Sequence, residues 1–479
     1  VIRTLAATVA LLLALTACER RPDDVPVVVS AIGDEATLAD PGLAPLDTPS
    51  RLLLEATAQG LVRFGADGQV EPALAERWTV IDDGRSYIFR LREARWPDGK
   101  AVAAASVVRA LRRATAAASR SPLKPFLQVI DEIVEMTPQV IEVRLKRPRP
   151  DLLRLFAQPE MAVFDRRTLG GSGPYRLLAQ SGGGALLRPV SDLAADEDEA
   201  PTPEQYVRLH GERAARAVAR FAARESDLVT GGGFADWPLV ALAGIAPTNL
   251  HVDPAAGLFG LAVASREGFL ADVANRAAIA MAIDRAALTR AFRPEWMPVE
   301  ALFPDRLDSA EAPATPAWQP LSLAERRTAA GAQVAAWRQP VTLRIALPPG
   351  PGANLVWTHV ASALRAIGIR PERVGITDTT ELRLVDAVAP YDSGRWYLVN
   401  ACQPCGSAAA ALVVAARDAP TLEDRAARIA EADRALTDDT AYIPIAQPLR
   451  WSIVAPRLNG WQRNSRAWHP LIGLRNETR

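Results

Sequence analysis

Short β-branched runs alternate with amphipathic stretches along most of this chain. Residues 25–32 form a continuous apolar run, as a buried strand requires. Within 49–64, Leu52, Leu53, Ala56 and Leu61 fall on helical spacing. In 85–96, Tyr87, Phe89 and Leu91 alternate with polar neighbours between the turn signals Asp82-Asp83-Gly84 and Pro97-Asp98-Gly99, which predicts a half-exposed strand. Residues 104–117 read as a helix and 132–147 as a hairpin. Residues 341–374 form a βαβ-like unit. A strand leads through Pro and Gly into a helix with Val356, Val360, Ala363, Leu364 and Ile367 on one face. Gly368 then stops the helix before a second strand. His359 borders that apolar face and reads as a packed or solvent-edge histidine. Thr421 and Asp424 open a helix over 421–439 with capping-box spacing. Residues 395–400 read as a strand, followed by Cys402-x-x-Cys405 and a helix. Alternation of this kind in two blocks predicts two mixed α/β lobes.

The amino end has a different character. One arginine, Arg3, precedes an apolar run over 5–15 and then small residues, the layout of a secretory signal. The run is short of the about 20 residues a spanning helix needs. Leu15-Thr16-Ala17-Cys18 resembles a bacterial lipobox, which implies lipidation of Cys18 and an anchor worth roughly 0.8 kcal/mol per buried CH₂. The alternative is an ordinary signal peptide with a chance cysteine. The expected layout is a signal peptide at 1–17 and a lipidated tether at 18–25. The body would then be exported to the periplasmic space and held to a membrane through lipid alone.

Charge adds mainly exclusions. Fifty-five basic residues balance 55 acidic ones over 479 residues, so nothing argues for nucleic acid. The length accommodates two or three domains with cores of their own. Residues 191–204, acidic and Pro-containing, read as an inserted surface loop.

Catalytic patterns are missing. The four histidines (His210, His251, His359, His469) are scattered, and Gly171-Ser172-Gly173 is not a nucleophile elbow because Tyr175 takes the last position. Gly350-x-Gly352 lacks a third glycine, and no lysine follows the glycines 231–233. The expectation is a non-enzyme with no cofactor and no metal. Cys402 and Cys405 admit three readings: a disulfide staple, free thiols, or a redox centre at a helix N-terminus. An oxidising compartment favours the staple. Metal binding would need a second pair, and only Cys18 remains.

From Leu52 onward the order of segments resembles the bacterial extracellular solute-binding proteins of family 5, the oligopeptide, dipeptide and nickel-type receptors of ABC importers. The resemblance rests on 60–111, with its Pro-Ala-Leu-Ala-Glu-x-Trp block and Phe-x-Leu-Arg strand. It continues through Gly-Ser-Gly-Pro-Tyr-Arg-Leu at 171–177, residues 220–229, 275–288 and 363–447. It implies an α/β, two-lobed periplasmic-binding-protein fold of type II, in its large three-domain variant, with a ligand cleft between the lobes. The first lobe would hold 26–250 with an inserted subdomain at about 47–170. The second would hold 251–445, and 446–479 would return to the first. The implied function is capture of peptides or peptide-like solutes for an ABC permease and ATPase complex by a monomeric receptor. Alternatives are a receptor for a non-peptide solute (opine-type or a sugar conjugate), an interaction lipoprotein without transport, and a periplasmic hydrolase or redox enzyme that the missing motifs argue against. In oligopeptide-type relatives a tryptophan followed closely by an aspartate holds the peptide's amino group. Trp396 is similar to that tryptophan, but Tyr397, Leu398, Val399 and Asn400 follow it without a carboxylate. Expected ligand-binding residues are therefore Trp396, Tyr397 and Asn400, with Asp34 and Glu35 after the first strand and Phe234, Asp236 and Trp237 after the glycines. The competing readings are solvated turn residues for Asp34 and Glu35 and a core position for Trp396.

Overall fold

The computed structural model describes residues 21–182, 184–190 and 201–475. Cys18, the apolar run before it and residues 191–200 lie outside the described residues.

A seven-stranded sheet is built on the predicted first strand, Val27–Ile32, which pairs in parallel with Val207–Glu212 on one side and Leu228–Gly233 on the other. Outward from these lie Gly184–Pro189 and Tyr175–Ser181 on one flank, and Arg450–Val454 and Leu250–Val252 on the other, all antiparallel. The central strand is buried on both faces, which explains its unbroken apolar run. Its one polar side chain, Ser30, donates to Glu212 at 2.7 Å, and Glu212 is in turn held by Arg220 at 2.9 Å.

A five-stranded sheet carries the βαβ unit. Val341–Ala346 runs parallel to Ile369–Val374 and to Leu382–Val388, and Gly257–Val263 and Tyr442–Ala446 complete it antiparallel. The helix Pro351–Ala366 buries the five residues expected on its apolar face or just past its end. Gly368 follows in the left-handed region.

The third unit is a four-stranded antiparallel sheet, ordered Ala75–Ile81, Ser86–Leu91, Val140–Leu145, Ile130–Thr137. The hairpin expected over 132–147 is its second half. The helix Ala104–Thr115 lays Val107, Val108 and Leu111 on it, and Phe89 meets Phe156 edge-on at 5.8 Å. Before this unit comes the helix Thr48–Thr57, capped by Asp47, which accepts from the Ser50 amide. Leu52, Leu53 and Ala56 lie in that helix and are buried; Leu61 is buried too but stands beyond its end.

One element departs from the sequence reading. Residues 395–400 belong to a helix, Gly394–Ala401, not a strand. An apolar run buried nearly all round does not by itself separate strand from helix. The cap decides: Ser393 accepts from the Arg395 amide at 3.3 Å. The strand, Cys-x-x-Cys, helix order of a thioredoxin-like centre is therefore not present; the cysteines join two helices. No helix among the described residues is long and apolar enough to cross a membrane.

Candidate functional site

The chain passes between the two large sheets twice, from Val252 to Gly257 and from Ala446 to Arg450. These crossings are bonded to each other. The Asp253 amide donates to the Arg450 carbonyl at 3.0 Å, and the Gly257 amide donates to Gln447 Oε1 at 3.0 Å. Beside them, Arg450 of the seven-stranded sheet grips Asp386 of the five-stranded sheet at 2.8 and 3.0 Å. Burial pushes the Asp386 carboxyl up, and the Arg450 charge opposes that shift. Tyr442, its hydroxyl buried without a hydrogen-bond partner, is pushed well above its ordinary value by burial and then by Asp386.

The glycines 231–233 end a strand beside this junction. Gly232 is required by Trp451: a Cβ there would stand 2.2 Å from the indole ring. The same indole donates to the Gly233 carbonyl at 2.9 Å. Phe234 follows and is buried against Phe259 of the other sheet, with ring centroids 4.9 Å apart. Its neighbour Ala235 accepts from the Gly352 amide at 2.8 Å, and so covers the first turn of the helix Pro351–Ala366. A Cβ on Gly352 would fall 1.9 Å from the Phe234 carbonyl, so only glycine permits this approach. Trp237 is buried and donates to the Phe292 carbonyl at 2.9 Å. Phe234 and Trp237 thus serve as packing between the lobes. Asp236 is half-buried, and burial raises its carboxyl.

Asp34 and Glu35 lie exposed on the loop after the first strand, where the Asp34 amide donates to Asp47 at 2.8 Å. Trp396 and Tyr397 are buried, ring against ring at 5.0 Å, and Tyr397 meets Phe303 edge-on at 5.7 Å. Asn400 turns back on its own helix, donating to the Trp396 carbonyl at 2.8 Å. The predicted residues therefore fall into three separate places: an exposed loop, a packed turn and a buried helix.

The start of that helix is densely wired. Asp308 accepts from the Gly394 amide at 2.7 Å and from Ser393 at 2.8 Å, and it pairs with Arg425. Asp392 is shared by Arg466 and Arg154, the latter at 3.2 Å. Both carboxylates nearest Trp396 in this network are thus paired with arginine. At the other end, Cys402 and Cys405 are joined in a disulfide with Cα atoms 4.7 Å apart. Arg266 donates to the Pro404 carbonyl inside that loop at 3.1 Å, and the Gly406 amide donates to Asp439 at 3.0 Å.

Among the described residues no cluster of histidine, cysteine and carboxylate side chains is arranged to hold a metal. Sequence reasoning missed Asp386 and Arg450, whose partnership spans 64 residues, and Arg395, which stood inside an apolar run.

Two mixed sheets, tied by two crossings and flanked by a third unit, define a two-lobed binding protein. The model of the bacterial extracellular solute-binding proteins, family 5, matches residues 69–396, and the chain belongs to that family. The glutathione-binding protein GsiB of Escherichia coli O1:K1 is 30% identical over 162 residues, 31% of each chain, so the match spans about a third of this curated relative's length. Among solved structures, the murein tripeptide binding protein MppA of Escherichia coli superimposes with a TM-score of 0.79 at 20% identity, over 93% of this chain and 97% of that one. OppA of Haemophilus influenzae, in complex with RPPGFSPFR, gives 0.78 at 17% identity, over 95% and 99%. These likenesses establish the fold.

Proposed function

We propose that the protein is the solute-capturing receptor of an ABC importer, taking a peptide or peptide-like solute between its lobes and delivering it to a membrane permease. One observation carries this reading: two lobes joined through only two short crossings, in a chain of this family. Such a joint lets the lobes close on a solute, and differential affinity for the closed form is what a transporter can sense. Relatives named for glutathione and murein tripeptide, and one solved in complex with the peptide RPPGFSPFR, support a peptide class. The protein acts as a receptor and not an enzyme. Its lobes divide near 250 and 446, with the subdomain at about 47–170. Asp34, Glu35 and Asp236 are the candidate polar contacts; Trp396, Tyr397 and Asn400 form a separate candidate set on the helix Gly394–Ala401. Native mass spectrometry of freshly purified protein should show a bound mass that is lost on denaturation and belongs to a peptide or amino-acid conjugate. A chain that takes up no member of a di- to pentapeptide panel and carries no solute overturns the reading.

A non-peptide solute is the second reading. It is favoured by the segment after Trp396, where no carboxylate replaces the amine anchor and Asp392 is occupied by arginines. Membrane attachment through Cys18 completes the proposal. Cys18→Ala should move the protein from the membrane to the soluble fraction, and retention on membranes would count against it.

A further inference from the structure

A large cavity lies away from the junction of the two sheets. It is a groove of about 950 Å³ between the four-stranded unit and the helices Gly394–Ala401 and Ser407–Asp418. Seven lysine and arginine side chains line it against three carboxylates. In a chain whose total charge is balanced, that local excess needs a cause.

Two of the arginines are built in. Arg149 and Arg395 are each only 7% exposed. Arg149 donates to the carbonyls of Arg417 at 2.9 Å and Pro148 at 2.6 Å. Arg395 lies 5.3 Å from the centre of the Phe126 ring and donates to the Pro125 carbonyl at 3.3 Å. Its buried Nε has no hydrogen-bond partner. Among the described residues neither guanidinium forms an ion pair. The nearby Asp418 is taken by Arg147 at 3.1 Å and Arg417 at 2.8 Å. Burial and then Arg425 push Arg149 down to about 10, and the Asp151 carboxyl opposes that shift. Burying cations with so little counter-charge, the Asp151 carboxyl near Arg149 and the Tyr391 hydroxyl near Arg395, is costly, and carbonyl dipoles compensate it only in part.

We propose that this groove is a binding site for a small organic anion, a carboxylate- or phosphate-bearing solute, with Arg149 and Arg395 as its charge-recognising residues. The planar guanidinium matches either group in a two-point contact. Phe126 fixes the plane of Arg395, so little ordering remains to be done on binding. Lys146 and Arg147 on the rim draw anions toward the floor. The groove lies where the two lobes meet, so the proposal rests on the receptor reading and names a solute class for it; a chain that takes up peptides but no anion would overturn the anion site alone.

Isothermal titration of the purified chain with citrate and with inorganic phosphate tests the proposal, with neutral triethyl citrate as control. Saturable binding of an anion, weakening with added salt, is expected, and no binding of the ester. Arg395→Gln should weaken it by about tenfold or more. The rim variant Lys146→Gln/Arg147→Gln leaves the buried floor untouched. It should weaken binding by about two- to threefold and flatten the salt dependence. Absence of saturable binding by either anion overturns the proposal. So does equal uptake of the ester, or parental affinity in a folded Arg395→Gln chain. Should that variant fail to fold, an unchanged affinity and salt slope in the rim variant overturns it as well. Co-sedimentation with phosphatidylglycerol vesicles without a response to free anion would assign the groove to lipid and also overturn the proposal.

Discussion

Glu55 offers a sharp test of how the carboxyl-terminal segment is held. It sits in the helix Thr48–Thr57, buried, and its Oε2 accepts from the Trp468 indole at 2.9 Å. Its Oε1 has no partner. Arg51 lies over the same indole at 4.5 Å but is ion-paired with Glu160 at 2.8 Å. Burial, only partly offset by the Trp468 hydrogen bond and by Arg51, raises the Glu55 carboxyl from 4.5 to about 7. The folded chain therefore holds this proton more tightly than the unfolded chain does. The stability gained from the protonated acid is fully present below the unfolded value and is lost as pH rises through about 7. A displacement of that size corresponds to about 3 kcal/mol. Glu55→Gln keeps an acceptor for Trp468 and never ionises. It should match the parent near pH 4 and exceed it by about 3 kcal/mol near pH 8.5. Denaturant midpoints of both chains, followed by tryptophan fluorescence across that range, measure the difference. A gap that does not change with pH refutes the titration, and a gap that widens toward acid refutes its sign.

Three further outcomes follow from buried contacts. Arg450→Met strands the Asp386 carboxylate and should cost about 3–5 kcal/mol, with most of it recovered in Arg450→Met/Asp386→Leu; additive single effects in a double-mutant cycle would show that the pair is not coupled. Trp396→Ala should lower stability by about 3–5 kcal/mol, since the ring is buried; a variant that melts like the parent but loses its solute-induced stabilisation would instead make Trp396 a contact residue. Cys402 and Cys405 should resist thiol labelling of the native protein until reductant is added, and full labelling without it would contradict the bond.

The elements were legible wherever one face of a periodic pattern met a solvated one. Tyr87, Phe89 and Leu91, and the face running from Val356 to Ile367, are cases where local sequence and tertiary burial agree. Residues 395–400 were not legible, because a run buried on nearly every side has no period to read, and the deciding cap is a single serine with its partners Asp308 and Arg425. The site was less legible than the fold. Phe234 and Trp237 look like cleft aromatics beside a glycine turn. Their burial depends on Gly352 and Phe292, which lie more than a hundred and more than fifty residues onward. In the sequence the glycines 231–233 read as a turn and as a phosphate loop without its lysine. A glycine inside a strand also marks a close approach, here by Trp451.

The two places where the lobes meet differ in what water can replace. On the junction side, Phe234, Phe259 and Trp296 form an apolar contact, with Phe259 and Trp296 centred 4.9 Å apart. Separating such surfaces exposes apolar area, and the cost grows with that area. Across the groove, Phe126 meets Tyr391 edge-on, and several of the contacts beside it are polar. Arg147 reaches Asp418, Arg154 reaches Asp392, Arg85 reaches the Pro420 carbonyl, and Gln158 reaches the Pro390 carbonyl at 2.9 Å. Partly exposed ion pairs of this kind contribute about 0–1 kcal/mol each, because water competes for both partners. Per contact, the polar side therefore costs less to separate than the apolar one. The groove lined by Arg149 and Arg395 lies on that polar side, so an anion held there would add attraction between the two faces.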